Sequence, residues 1–171
     1  VHSTDGVGSR DSHWRESVFL TELMTPFIGS GGAPFSVTTI ESLGDLAIVC
    51  VGTPSNDNGS LGLEYMLRVL VDIGDLLKKS PDYAVINIRS TVLPGTVEQT
   101  IIPALEKQSG KTCGKDFGVC MNPEFMRETT AVSNFADPPF SVISERDKRS
   151  ADRVAELYTT LSAPLERTSI K

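Results

Sequence analysis

The chain has 171 residues, of which 39% are hydrophobic and 22% charged, enough for one soluble domain with a buried core. Its net charge of −6 argues against a general binder of nucleic acid or of anionic membranes. No apolar run reaches the roughly 20 residues of a membrane helix, and Val1-His2-Ser3-Thr4-Asp5 has neither the basic start nor the apolar core of a signal peptide. An N-terminus without Met is read as the mark of a processed, excised or partial chain. Cys50, Cys113 and Cys120 are an odd set without C-x-x-C spacing, which fits a reducing compartment. The only imidazoles are His2 and His13, so no metal site is expected.

Residues 1–44 are weakly readable. Gly6-Val7-Gly8 resembles the start of a phosphate-binding glycine loop, but it lacks the third glycine and a preceding strand, so a loop is expected. Ser17–Met24 reads as a short helix with Val18, Leu20, Leu23 and Met24 apolar. Gly29-Ser30-Gly31-Gly32-Ala33-Pro34 is a breaker. A short strand at Phe35–Thr39 and a turn of helix at Ile40–Gly44 follow.

Residues 45–171 are far clearer. Leu46-Ala47-Ile48-Val49-Cys50-Val51 is the continuous apolar run of a strand buried on both faces. It stops at Gly52-Thr53-Pro54, followed by a polar loop from Ser55 to Ser60. Leu63, Met66, Leu67, Leu70, Ile73 and Leu77 keep a helical period that Lys78 and Lys79 close, where cations suit the negative end of the helix dipole. A second strand, Tyr83–Ile88, ends at Arg89-Ser90-Thr91.

Thr96-Val97-Glu98-Gln99 has the pattern of a capping box, and Pro103 is expected to kink or interrupt the helix it starts. Phe117–Met121 is a third strand. Asn122-Pro123-Glu124 has the grammar of a helix start, with Asn as N-cap and a short helix from Pro123 to Thr129. Phe140–Ser144, a charged amphipathic helix from Asp147 to about Leu161, and a last strand at Pro164–Ile170 complete the order. Strands alternating with helices imply an α/β, Rossmann-like fold: a mainly parallel sheet with helices on both faces.

Three of these strands end in a small or polar cluster: Gly52-Thr53-Pro54-Ser55, Arg89-Ser90-Thr91 and Asn122-Pro123-Glu124. In an open parallel sheet ligands bind outside the carboxyl ends of the strands, so the clusters are read as one edge of a single site. Each also has a plain structural explanation. Gly52-Thr53-Pro54 suits a strand-to-loop turn, and Ser90 and Thr91 suit capping of backbone groups. Glu124 suits a helix N-terminus, Glu128 a solvated surface, and Arg89 an ion pair with a neighbouring acid, with no catalytic role assigned.

Val51-Gly52-Thr53-Pro54, the run from Arg89 to Thr96 (RSTVLPGT) and the run from Asn122 to Glu128 (NPEFMRE) resemble three successive signatures of the UDP-glucose/GDP-mannose dehydrogenase family. The resemblance covers about Asp45 to Lys171. It implies NAD-dependent oxidation of the C6 alcohol of a nucleotide sugar to a carboxylate in two hydride transfers. The family's catalytic Cys carries the intermediate as a thiohemiacetal and then as a thioester, which water hydrolyses. It further implies an N-terminal NAD-binding domain, a central dimerising helix (hence homo-oligomers) and a C-terminal nucleotide-sugar domain, in a cytoplasmic enzyme feeding acidic polysaccharide synthesis.

By the same resemblance Val51, Gly52, Thr53, Pro54 and Ser55 contact NAD, and Ser90, Thr91 and Val92 form a second contact. Thr91 helps hold the hydrolytic water, and Glu124 is the water-activating carboxylate. Glu124, Phe125, Met126, Arg127 and Glu128 touch the sugar substrate, with Glu128 also near the nicotinamide. Such chemistry suits these residue types: Gly52 lets a cofactor approach the backbone, threonine hydroxyls both donate and accept, and hydrolysis needs a base within reach of water.

The departures are the glycine loop and its acidic partner, not found in residues 1–44, and the family's Gly-Gly-Ser-Cys context, which matches none of the three cysteines. The expectation is a partial NAD-binding domain lacking its first βαβ unit, with apolar sheet surface exposed where that unit would pack. The alternative is a non-catalytic Rossmann-like module that binds a nucleotide or a partner through the same strand ends. The run from Asp137 to Ile143 resembles the GDP-mannose branch more than the UDP-glucose branch.

Overall fold

A computed structural model describes residues 18–20 (backbone only), 42–56, 59–125, 134, 137–161 and 163–170. Six strands form one sheet in chain order: β1 (Val18–Leu20), β2 (Leu46–Val49), β3 (Val85–Ile88), β4 (Gly118–Met121), β5 (Ser141–Glu145) and β6 (Leu165–Ser169). The first four are mutually parallel. β5 runs antiparallel to β4, and β6 is parallel to β5.

The continuous apolar runs have the cause expected of them: both sides of the sheet are covered. On one side Ala47, Val49, Ile86, Ile88 and Val119 pack against helix α1 (Glu64–Lys79) and helix α2 (Ile102–Ser109). On the other, Leu46, Ile48, Val85, Cys120 and Ile143 meet Ala151 and Val154 of helix α3 (Lys148–Ala155). β2 and β3 are buried at every position. Asp147 caps α3, its carboxylate accepting from the Ser150 amide, and one turn of 3-10 helix, Glu156–Tyr158, extends it.

Several expectations need correction. Ser17–Met24 is not read correctly as a helix, because Val18–Leu20 is a strand paired with Ala47–Val49. Strand pairing, a tertiary gain, overrides the weak local pattern there. The edge of β2 is therefore paired, and Leu46–Val49 exposes no apolar sheet surface. Ser42–Gly44 is non-helical, while the glycine stretches at 6–8 and 29–34 and the strand expected at Phe35–Thr39 lie outside the described residues.

The capping box at Thr96 does not form. Thr96 is already helical, with no side-chain cap. Pro103 does interrupt the helix, as a π-turn over Val97–Ile101 in which the Ile102 N–H reaches the Val97 carbonyl. Proline has no N–H to give the carbonyl four residues back, so the preceding turn widens. Gly110, left-handed at φ 71°, ends α2. The helix expected from Pro123 is absent at Pro123–Phe125, which are irregular.

Candidate functional site

The last residues of β2, β3 and β4 stand level: Val49 pairs with Ile88, and Ile88 with Met121. The three clusters therefore leave the sheet side by side, at the edge where open α/β sheets bind ligands. β5 starts at that edge because it runs the other way, and α3 brings the chain back to it. Five segments thus meet there.

Hydrogen bonds stitch the first two clusters together. Buried Ser90 takes the Val51 N–H on its hydroxyl at 2.8 Å and donates to the Val51 carbonyl at 2.7 Å. The half-buried Thr53 donates its hydroxyl to the Thr91 carbonyl at 2.9 Å. The Arg89 and Ser90 amides both point at the Val49 carbonyl, at 2.9 and 3.3 Å. Pro54, Ser55 and Thr91 are exposed, and Gly52 and Val92 partly so.

The third cluster is fixed by Asn122. Its amide N–H extends the ladder to the Ile88 carbonyl at 2.8 Å, and its Nδ2 donates to the Val142 carbonyl at 2.7 Å. Its Oδ1 accepts from Arg89 Nη1 at 2.6 Å and from the Tyr158 hydroxyl. Arg89 Nη1 also donates to the Tyr158 oxygen at 2.7 Å. Asn122 is thus a junction between strands rather than a helix cap; the amide group that a cap would use is taken by distant partners.

Glu124 and Phe125 are exposed beyond this junction. The Phe125 ring lies 5.2 Å from that of Phe140, beside a cleft lined by Arg89, Asn122, Pro123, Phe140 and Tyr158. Met126, Arg127 and Glu128 lie outside the described residues.

Burial pushes the Cys50 thiol up; Arg89 opposes this, and the Glu124 carboxylate adds to it. Glu124 therefore stands within electrostatic reach of the end of β2. Cys113 and Cys120 are buried free thiols in the core, pushed up by desolvation to about 11 and about 12. Among the described residues no cluster of His, Cys, Asp or Glu could hold a metal, and no helix is long and apolar enough to cross a membrane.

Sequence reasoning gave Tyr158 no role and Arg89 only an ion pair with a neighbouring acid, and so missed the bonds of both to Asn122. A charged residue directly ending a fully buried strand was the available signal for Arg89.

Residues 18–162 match the model of the UDP-glucose/GDP-mannose dehydrogenase family, NAD binding domain. The chain belongs to this family. The match begins inside the segment that was hardest to read. GDP-mannose 6-dehydrogenase of Pseudomonas putida is 50% identical over 127 residues, covering 74% of this chain and 29% of that protein. The Pseudomonas savastanoi pv. phaseolicola enzyme of the same name is 45% identical over 153 residues, 88% of this chain and 35% of its own length.

UDP-glucose 6-dehydrogenase AglM of Haloferax volcanii is 34% identical over 131 residues, 74% of this chain and 30% of that protein. Among solved structures, a ternary complex of GDP-mannose dehydrogenase from Pseudomonas aeruginosa superposes with a TM-score of 0.73 at 45% identity, covering 74% of this chain and 29% of that one. A UDP-glucose dehydrogenase from Pyrobaculum islandicum gives 0.69 at 30% identity, with the same coverage. The chain spans 29–35% of the length of these curated relatives. The family's Rossmann-like sheet is the fold described above.

Proposed function

We propose that this chain is the nicotinamide-side part of the NAD-binding domain of a nucleotide-sugar 6-dehydrogenase. On this assignment, residues 45–171 carry the site and residues 1–44 precede it. The observation that carries the proposal is the Thr53–Thr91 hydrogen bond, which ties two level strand ends into one exposed edge. The polar groups fit the cofactor: Gly52 leaves the backbone approachable, the Thr91 hydroxyl suits a ribose or a carboxamide, and the Thr53 oxygen, its proton given to the Thr91 carbonyl, can still accept.

Val51, Pro54, Ser55 and Val92 flank those contacts, and Ser90 shapes the edge from inside. Held along this edge, NAD would supply the hydride acceptor for oxidation at the C6 carbon. Glu124 takes the proton of the water that hydrolyses the acyl intermediate, and Thr91 helps hold that water. Phe125, Met126, Arg127 and Glu128 contact the nucleotide sugar, Glu128 also near the nicotinamide. GDP-mannose is preferred over UDP-glucose because relatives named for it are 43–50% identical, against 34% for the UDP-glucose relative above. A cytoplasmic setting and homo-oligomers accompany this assignment.

Calorimetric titration with NAD tests the cofactor assignment. Binding that weakens about tenfold in Thr91→Ala, a loss of about 1.4 kcal/mol, is the expected result. No heat at millimolar NAD overturns it for this chain.

A further inference from the structure

We propose that Arg89 and Tyr158 are positioning residues: they lock Asn122 and through it set where Glu124 stands at the sheet edge. This rests on the assignment of Glu124 as the water-activating carboxylate.

Asn122 is 1% exposed, and every bond it makes has a consistent direction. Its Nδ2 donates to Val142, and its Oδ1 accepts from the Arg89 guanidinium and the Tyr158 hydroxyl. A flipped carboxamide would set an N–H against those donors and a carbonyl against the Val142 oxygen, so one orientation is fixed. Tyr158 passes on what it receives, accepting from Arg89 and donating to Asn122. The junction therefore joins β3, β4, β5 and the turn after α3.

The arrangement is costly for a mere packing device. Taking a guanidinium partly out of water at the end of a buried strand is unfavourable unless it is well bonded, and an apolar side chain would fill the volume more simply. What the charge supplies is direction: bonds from an ionised donor are short and roughly twice as strong as neutral ones. Only Pro123 separates Asn122 from Glu124, and its ring fixes φ at that step. The backbone of Glu124 is thus two residues from an immobilised point, although its side chain is exposed.

The test is nitrogen-15 relaxation on the full chain and on Tyr158→Phe, Arg89→Met and Arg89→Lys, without NAD. In the parent, Glu124 and Phe125 should show amide order parameters near about 0.85, falling toward about 0.6 in Tyr158→Phe and Arg89→Met. Gly118–Met121 should keep the parent values, and Arg89→Lys, which retains a charged donor, should recover part of the loss. The proposal is overturned if Glu124 keeps its parent value in both variants, or if the loss spreads through Gly118–Met121 as general loosening. Should Arg89→Met fail to fold, Tyr158→Phe decides alone, since it removes one oxygen and keeps the ring. Failure of the NAD titration would count against the cofactor assignment and leave this measurement untouched.

Discussion

Replacing Ser90 by Ala separates two roles that one side chain can play at this edge. The hydroxyl is bonded on both sides to Val51, at 2.8 Å from its N–H and 2.7 Å to its carbonyl. Both residues are buried, Ser90 at 8% and Val51 at 5% exposure. Removing the oxygen leaves a backbone donor and a backbone acceptor without their partner. A buried group left unsatisfied costs about 1–3 kcal/mol, and the carbonyl can recover part by tilting toward water, so the loss should be about 2–4 kcal/mol. For a chain of this size each kcal/mol lowers the melting temperature by about 2–4 °C, so a drop of roughly 5–15 °C is expected.

Thermal and urea unfolding followed by circular dichroism measure this, with the urea slope checked for constancy. A loss below about 0.5 kcal/mol, the size of an ordinary surface change, would refute the stitching role. Unchanged stability together with lost NAD binding would make Ser90 a cofactor contact instead. If the stitch is what the serine does, NAD affinity should fall only as far as the edge itself loosens.

Gly118→Ala should be strongly destabilising, because its new Cβ would lie 1.8 Å from Ser150 Oγ and 2.8 Å from the Tyr83 hydroxyl. Overpacking of this kind costs about 1–3 kcal/mol, and a urea midpoint equal to the parent's would show that α3 can move away freely. The buried thiols predict alkaline weakness. Cys113 and Cys120 keep their protons to about 11 and about 12 in the folded chain, above their value when unfolded. Their contribution is therefore full below about pH 8.5, the ordinary thiol value, and is lost as pH rises through the folded values. Urea midpoints taken from pH 8 to pH 10.5 should fall, and Cys120→Ala should fall less steeply; parallel curves would refute the assignment.

The central strands were legible because burial on both faces demands long apolar runs: Leu46–Val49 is apolar at every position, and Val85–Ile88 departs from it only at buried Asn87. The level strand ends were legible for the same reason: each run stops at a polar cluster. Val18–Leu20 was not legible, since three residues hold too little period to separate strand from helix and only pairing with β2 decides. Asn122-Pro123-Glu124 carries the local signals of a helix start, yet Arg89 and Tyr158, 33 and 36 residues away, claim the Asn side chain. Local grammar cannot weigh partners at such separations.

The reversal of β5 explains why the third cluster differs from the first two. Had β5 continued parallel, its start would lie at the far edge of the sheet, and the segment after Asn122 would have to cross a face to reach it. Running antiparallel, β5 begins beside Asn122, so the Val142 carbonyl is there to accept from its side chain. The same reversal sends α3 back toward the strand ends and delivers Tyr158 at its close. One change of strand direction therefore supplies two of the groups that hold Asn122. The junction and the reversal should consequently fail together: a change that unpairs β5 from β4 should release Asn122 even with Arg89 and Tyr158 intact.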